Sequence, residues 1–460
     1  MKDLTQGNMY KNFFLFSIPI VLSSLLSSAF GIINTSIAGL FLGAEGLAAT
    51  SATTSFILIV EAIYFGHGYG LSVYAANLFG AKNYEKLKRM LYSNVFLTFA
   101  SIALLSLISI LLSNPILHFL NVEDAIFEPS RQYFCLICIQ MVIAMCSHMF
   151  VTCCHSMGET TFPLIMSFLS AALTVVGNVL TVAVFHLGVV GMGLSTIAVS
   201  LLIFVGYWFR FRKYFRELGV GTSIPRFSWA DVRGIFSYSL PNIVQQSSLY
   251  VTSLLYAPVQ NGLGYLAVAA ISVTGRIQSL HTTLYYSASK TAGNYIAQCV
   301  GAQKFHQIKK AVVAALIQGA FFFLCMFIPV FLFPDAIASL FLDKQAEPVV
   351  FGYVIDYIRL YLPFLFLHVF CGIFHSILRG IKSNAHLILT SLLGAVGKMV
   401  FAIILAPLMG VYGIFLAAVI GWGLECVYIL VLCITGLWVP RAWRRRVLKP
   451  QAEEVQRSIS

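Results

Sequence analysis

Charge is what this sequence has least of. Only 10% of its 460 residues are Asp, Glu, Lys or Arg, while 59% are hydrophobic and the mean hydropathy is +0.87. An ordinary soluble domain devotes about a quarter of its residues to charge, so a soluble globular fold is excluded. Short alternating strands are missing too, which argues against a transmembrane barrel. Apolar stretches of about twenty residues, each enough to cross a hydrocarbon core, instead recur from end to end. No cleavable signal peptide is expected, because the first apolar run is too long for one and leads straight into more of the same. Nucleotide-binding, catalytic-triad and metal-ligand spacings are also lacking. Gly66-x-Gly68-x-Gly70 follows no strand and precedes no phosphate-binding Lys, so it reads as helix packing. The ten cysteines lie mostly inside apolar runs. Cys135-x-x-Cys138 is read as small apolar packing, and no disulfide framework is implied.

The pattern predicts an all-α polytopic membrane protein. Twelve spans are expected, at roughly 12–40, 51–77, 91–113, 131–156, 162–187, 189–210, 235–257, 266–298, 311–333, 353–378, 386–407 and 411–436. The net charge of +12 then falls into place. Basic residues collect in alternate segments: Lys2 and Lys11; Lys82, Lys86, Lys88 and Arg89; Arg210 to Arg233; Lys304, Lys309 and Lys310; Arg379 and Lys382; and the tail from Arg441 to Arg457. The positive-inside rule puts both termini in the cytoplasm, in a multi-pass protein of the inner membrane. The basic charge is thus a topology signal, and no nucleic-acid partner is expected.

The chain also repeats itself at an offset of about 222 residues. SIPIVLSSLL from Ser17 aligns with SLPNIVQQSS from Ser239, placing Pro19 over Pro241. LGAEGLAAT aligns with LGYLAVAAI, Gly43 over Gly264. FGAKNYEKLKRM from Phe79 matches VGAQKFHQIKKA, HSMGETTFPL from His155 corresponds loosely to SILRGIKSNAHL, and GVVGMGLSTIAV from Gly188 matches GVYGIFLAAVIG from Gly410. Two six-helix copies that both start inside must run parallel, an arrangement that marks secondary transporters. The expected organisation is an N-lobe over 1–210, a cytoplasmic linker over 211–234 that acts as hinge, a C-lobe over 235–436 and a basic tail over 437–460.

These residues resemble the multidrug and toxic-compound extrusion family. The resemblance rests on FSIPIVLSSLLSSAFGIINTSIAGLFLGAEGLAA, NLFGAKNYEKLKRML, GETTFPLIMSFLS with GVVGMGLSTIAVS, and SILRGIKSN, in that order along nearly the whole chain. It implies two six-helix bundles around a central cavity and export of small molecules, often organic cations, driven by inward H⁺ or Na⁺. It implies no other cofactor. The family places an Asp-Thr pair in its first helix, where this chain has Asn34-Thr35. It places an Asn and, four residues on, an Asp in its fifth, where this chain has Thr174 and Asn178. Both family acids are therefore amides here. An amide oxygen can ligate Na⁺, so a Na⁺ near Asn34 and Asn178 stays open, but an amide carries no charge and does not titrate. Two readings stand for Asn34, Thr174 and Asn178: interhelical hydrogen-bond glue, or the lining of a cavity.

Ionisable residues inside the spans are functional candidates by default. Among acids, Glu61 leads; Asp356 is expected to pair with Arg359 at i+3, and Glu425 is the third. Lys290 and Lys398 are the unusual cations, either snorkelling or forming a cationic cavity wall suited to an anionic or zwitterionic substrate; Arg276 starts the same helix as Lys290. Gln245 and Gln246, after Pro241, are placed in the C-lobe cavity. His148 and His155, seven apart on one face, are read as interior histidines, with a proton relay as the alternative. The expected activity is secondary active antiport of small organic molecules by a monomer in contact with lipid, and not an enzyme. The alternatives are a lipid-linked-intermediate flippase of the same superfamily and, from another class, a membrane-embedded transferase, which the scarcity of acids disfavours.

Overall fold

The computed structural model describes residues 9–120 and 122–448. Lys2, Lys449 and Arg457 of the basic terminal segments lie outside the described residues. Among the described residues twelve long helices and a few short ones form the whole fold. The long helices are α1 (Met9–Gly43), α2 (Glu45–Gly80), α3 (Tyr84–Leu111), α4 (Asp124–Ser156), α5 (Thr161–Val184), α6 (Gly188–Glu217), α7 (Trp229–Asn261), α8 (Tyr265–Gly301), α9 (His306–Leu332), α10 (Pro348–Gly380), α11 (Asn384–Met409) and α12 (Val411–Thr435). Ten are long and apolar enough to cross a membrane. The other two, α7 and α8, are 33 and 37 residues long; their Gln, Asn, His, Lys and Arg side chains lower their hydropathy.

The repeat is written in the backbone. Gly43 (φ 67°) and Gly264 (φ 86°) occupy the same extended left-handed region between the first and second helices of each copy, where only glycine sits without strain. Gly188 and Gly410, both at φ 60°, match in the same way before α6 and α12. The turns that end α2, α4, α8 and α10 share one hydrogen-bond pattern. Lys82 N donates to Phe79 O and Asn83 N to Leu78 O, and the same pair of bonds recurs at Gly158–Glu159, Gln303–Lys304 and Lys382–Ser383. This is the Schellman closure, which satisfies helix-end carbonyls through one left-handed residue. After the fourth and tenth helices the left-handed positions are Gly158 and Lys382, so the local offset there is two to three residues longer than elsewhere.

The chain divides into two compact units. Unit 1 holds Pro19–Ser239, and unit 2 holds Leu4–Ile18 and Leu240–Ser460. The division falls beside Pro19 and Pro241, inside the first helix of each copy, where the missing N–H permits a bend. In unit 1, α4 is the central helix, packed on α2, α3 and α6. Its core includes Leu71, Leu91, Met149, Phe150, Tyr207 and Phe211. The linker is fastened to this unit. Buried Lys88 Nζ donates to the carbonyls of Val220 (3.2 Å) and Gly221 (3.1 Å). Arg89 pairs with buried Asp231 at 2.5 Å, and Tyr238 stacks on Tyr74 with ring centroids 4.8 Å apart.

In unit 2, α10 takes the central place, packed on α8, α9 and α12, while α11 and α12 run side by side. The start of α1 belongs to it: Phe13 packs on Tyr295 with centroids 5.0 Å apart, and Gln318 Nε2 donates to Ser17 Oγ at 2.6 Å. Helices in lipid approach closely through small residues. A Cβ added at Gly421 would lie 2.8 Å from the Gly394 carbonyl oxygen, which fixes how near α11 and α12 come. The glycines of the 66–70 stretch pack likewise: a Cβ at Gly68 would lie 2.8 Å from His148, and one at Gly70 2.3 Å from Ser239 Cα.

Candidate functional site

Unit 1 contains a cavity of about 410 Å³ between α1, α4, α5 and α6. Its polar lining comes from Ser27 and Asn34 of α1, Gln140, Ser147 and His148 of α4, Ser167, Ser170 and Thr174 of α5, and Ser200 and Tyr207 of α6. Hydrogen bonds within and between helices set its walls. Gln140 Nε2 donates to Ser200 Oγ at 2.9 Å, tying α4 to α6. Thr174 Oγ1 turns back to the Ser170 carbonyl at 2.8 Å and Ser147 Oγ to Ile143 at 3.0 Å, so these hydroxyls need no other helix. His148 is set edge-on to Phe65, centroids 4.7 Å apart, and His155, on the same face, is buried. None of the lining residues is an acid, a Lys or an Arg, so the cavity offers hydrogen bonds without fixed charge.

Asn34 and Asn178 meet at the edge of this cavity. Asn178 is fully buried and its Nδ2 donates to Asn34 Oδ1, joining α5 to α1. Asn178 Oδ1 has no partner among the described residues. A buried amide oxygen without a donor carries an uncompensated desolvation cost of about 1–3 kcal/mol. The repeat-equivalent position in unit 2 is Tyr256. Lys398 of α11 places its Nζ 4.6 Å from the centre of that ring, while Tyr256 Oη donates to the Ile414 carbonyl at 3.3 Å. One backbone position thus carries an amide pair in one copy and a cation over an aromatic face in the other.

Unit 2 also contains a chain of buried polar groups that spans three helices. Arg379 Nη2 donates to Gln245 Oε1 at 2.6 Å, and Gln245 Nε2 faces His375 Nδ1 at 3.4 Å. His375 Nε2 lies 2.6 Å from Glu425 Oε1, with both side chains largely buried. Gln245 is therefore held within a network on α7. Gln246 is half-buried and makes no side-chain hydrogen bond among the described residues. Of the three candidate acids in the spans, Glu425 is the one with a largely buried basic partner.

The other expected residues are placed as follows. Glu61 is half-buried, lies outside the cavity lining and has no ion pair or hydrogen bond among the described residues. Lys290 is half-buried and likewise without an ion pair among them, and Arg276 is exposed. Asp356 does not pair with Arg359. It accepts from Tyr412 Oη at 2.5 Å, because α10 opens into a wide π turn over Tyr357–Tyr361 and the i+3 position no longer lies above the carboxylate. The ten cysteines are free thiols.

An all-helical, membrane-spanning fold of two repeated bundles, with a polar cavity inside one and a chain of polar side chains inside the other, defines a membrane transporter. The MatE family model matches residues 19–180 and 241–434, starting at Pro19 and again at Pro241, and the chain belongs to that family of transporters. Among curated relatives, a probable multidrug resistance protein, YoeA, of Bacillus subtilis is 21% identical over 348 residues, covering 74% of this chain and 75% of its own. An FAD transporter of Shewanella oneidensis is 24% identical over 330 residues, covering 69% and 70%. A MATE transporter solved in complex with MaL6 superimposes with a TM-score of 0.86 at 18% identity, covering 95% of this chain and 98% of its own. A MOP-superfamily transporter of Pyrococcus furiosus, described as having a binding pocket of reversed polarity, gives 0.84 at 18%, covering 97% and 98%. At these identities the solved structures show the fold alone.

Proposed function

We propose that the protein is a secondary active antiporter of the inner membrane. It exports small organic molecules by alternating access as a monomer, with both termini in the cytoplasm, and inward movement of H⁺ or Na⁺ drives the export. The observation that carries this reading is the cavity of about 410 Å³ in unit 1, lined by hydroxyls, amides and one imidazole. Neutral donors and acceptors on four helices suit a polar organic molecule that is recognised by hydrogen bonds and shape. Asn34 and Thr174 belong to that lining, with Asn178 holding Asn34 in place. Because the Asn34–Asn178 contact joins two amides, it neither titrates nor supplies charge to Na⁺, so the driving ion binds elsewhere.

A second reading concerns substrate charge. In unit 2, Lys290 lies on α8, Arg379 on α10 and Lys398 on α11, while the acids of its spans are Asp356 and Glu425. That excess favours an anionic cargo, such as a phosphorylated metabolite or a lipid-linked intermediate, over a cation. A relative named as an FAD transporter agrees with it.

Proteoliposomes loaded with ethidium or with carboxyfluorescein, under an imposed pH or Na⁺ gradient, test both readings. Gradient-driven movement of either dye is expected, with carboxyfluorescein preferred if the cationic side chains select. Asn34→Ala and Thr174→Ala should raise KM several-fold. Dye movement indifferent to both gradients would overturn the antiport reading.

A further inference from the structure

Glu425 is the buried acid of the spans that stands against a buried base, and its surroundings fix how that pair carries protons. The 2.6 Å contact from Arg379 holds the carbonyl end of Gln245 toward the guanidinium. The amide's NH₂ end must then face His375 Nδ1, which makes Nδ1 an acceptor and places the imidazole proton on Nε2. That nitrogen lies 2.6 Å from Glu425 Oε1. One orientation runs from guanidinium to amide and from amide to imidazole, and the carboxylate stands against the far side of the ring. In this arrangement the His375–Glu425 pair holds one proton and a net charge of −1.

The second carboxylate oxygen is free of that chain. Glu425 Oε2 points at α11, where a Cβ on Gly394 would come within 2.7 Å of it, so the glycine leaves the oxygen its space. Facing the pair from α10 are His368, Cys371 and Arg379, from α11 Lys398, and on α12 itself Cys426. Tyr285 of α8 sets its ring edge-on to His368 at 5.6 Å. From α7 come Gln245 and Tyr256, the latter beneath Lys398.

We infer that the His375–Glu425 pair is a proton-binding site, seated by Gln245 and Arg379, that takes up and releases one proton per transport cycle. On uptake, an O–H bond forms at Glu425 Oε2 with a proton delivered from water. The imidazole keeps its own proton, and the charge of the pair goes from −1 to 0. On release, the O–H bond breaks and the proton returns to water. No group in the chain needs to change tautomer, so the step is reversible. Gln245 and Arg379 are positioning residues, because they hold the imidazole and never take the proton. The inference rests on the antiport reading and gives its proton a place.

The test uses the full chain in liposomes. Infrared difference spectra recorded across a pH titration should show a protonated-carboxyl C=O band in the wild type and its loss in Glu425→Gln. Gly394→Ala, which keeps every titratable group and presses on Oε2, should move the midpoint of that band. Gln245→Leu should move it too, since it frees the imidazole tautomer. Ethidium or carboxyfluorescein movement driven by a pH gradient should fall at least tenfold in Glu425→Gln, while dye counterflow without a gradient persists. A wild type with no titrating carboxyl band would overturn the inference even if Glu425→Gln fails to fold. So would a band that survives Glu425→Gln, or a midpoint unmoved by Gly394→Ala. A band that titrates as expected in a wild type that moves no dye under any gradient would leave the proton site standing and overturn the antiport reading instead.

Discussion

Asn178→Asp should turn the amide contact of unit 1 into a cation site. The wild-type side chain is fully buried, gives its N–H to Asn34 Oδ1, and leaves its own oxygen unpartnered among the described residues. The substitution removes that donor, a loss of about 0.6–1.7 kcal/mol for a hydrogen bond between membrane helices. It also sets an ionised carboxylate in the same place at an effective cost of several kcal/mol. The oxygens of the new carboxylate and of the Asn34 amide would then face each other with a negative charge between two helices, which is the donor set a hard cation takes. A site of ~1 mM affinity in about 100 mM Na⁺ recovers about 2.7 kcal/mol. Spread over a unit the size of Pro19–Ser239, that is about 5–10 °C in unfolding midpoint. The assay is thermal unfolding of the purified variant in NaCl against choline chloride, alongside the wild type. The variant should be more stable in Na⁺ by that margin and the wild type indifferent. Equal midpoints for a monodisperse variant in both salts would refute the reasoning.

Two further perturbations probe the scaffold. Gly264→Ala, and equally Gly43→Ala, forces a side chain into a glycine-only conformation with nothing within 4 Å of the new methyl, so the cost is backbone strain of about 1–3 kcal/mol. The unfolding midpoint should fall, while Gly352→Ala, also in open space but without a positive φ, should leave it level or higher; equal effects would sink the strain argument. Lys88→Met removes two charged hydrogen bonds to the Val220 and Gly221 carbonyls, and losing even one such bond costs about 1.5–3 kcal/mol. Hydrogen exchange at residues 219–223 should therefore quicken about 10–100-fold, and unchanged exchange would show that this lysine does not fasten the linker.

The fold was legible because it is said twice. Gly43 over Gly264 and Gly188 over Gly410 come from aligning the sequence with itself, and the backbone takes the same left-handed conformations at both members of each pair. The helix ends were harder. Lys82, Gln303 and Lys382 take the left-handed turn position, and nothing in the identity of a Lys or Gln announces a turn that the preceding helix end imposes. The linker looked like a hinge from its glycines and basic charge. Its attachments come from Lys88, Ser93 and Arg89 more than a hundred residues upstream.

For the site, the family pattern brought Asn34 and Asn178 together before any coordinates did. Gln140, Ser147, Ser170 and Ser200 escaped notice because small polar residues are common in membrane helices, and only the rotation of α4, α5 and α6 aims these at one space. Glu425 was considered, but its partner His375 lies fifty residues away on another helix, a pairing no local spacing encodes. Arg379 was counted with the loop cations, yet its guanidinium reaches back to Gln245. The cue that could have found the chain was the i, i+4 placement of His375 and Arg379 on one face of α10.

One backbone plan, used twice, has been furnished with different chemistry. Where the first copy sets two amides against each other, the second sets a lysine over a tyrosine ring, and the His375–Glu425 pair has no counterpart across the repeat: adding 222 to Asn34 lands on Tyr256, and subtracting it from Glu425 lands on Ile203. On the antiport reading proposed above, variation in the first copy alters which cargo is accepted while the second keeps its fuel. A lineage of such proteins can then drift widely in what it exports at little risk to how it is powered.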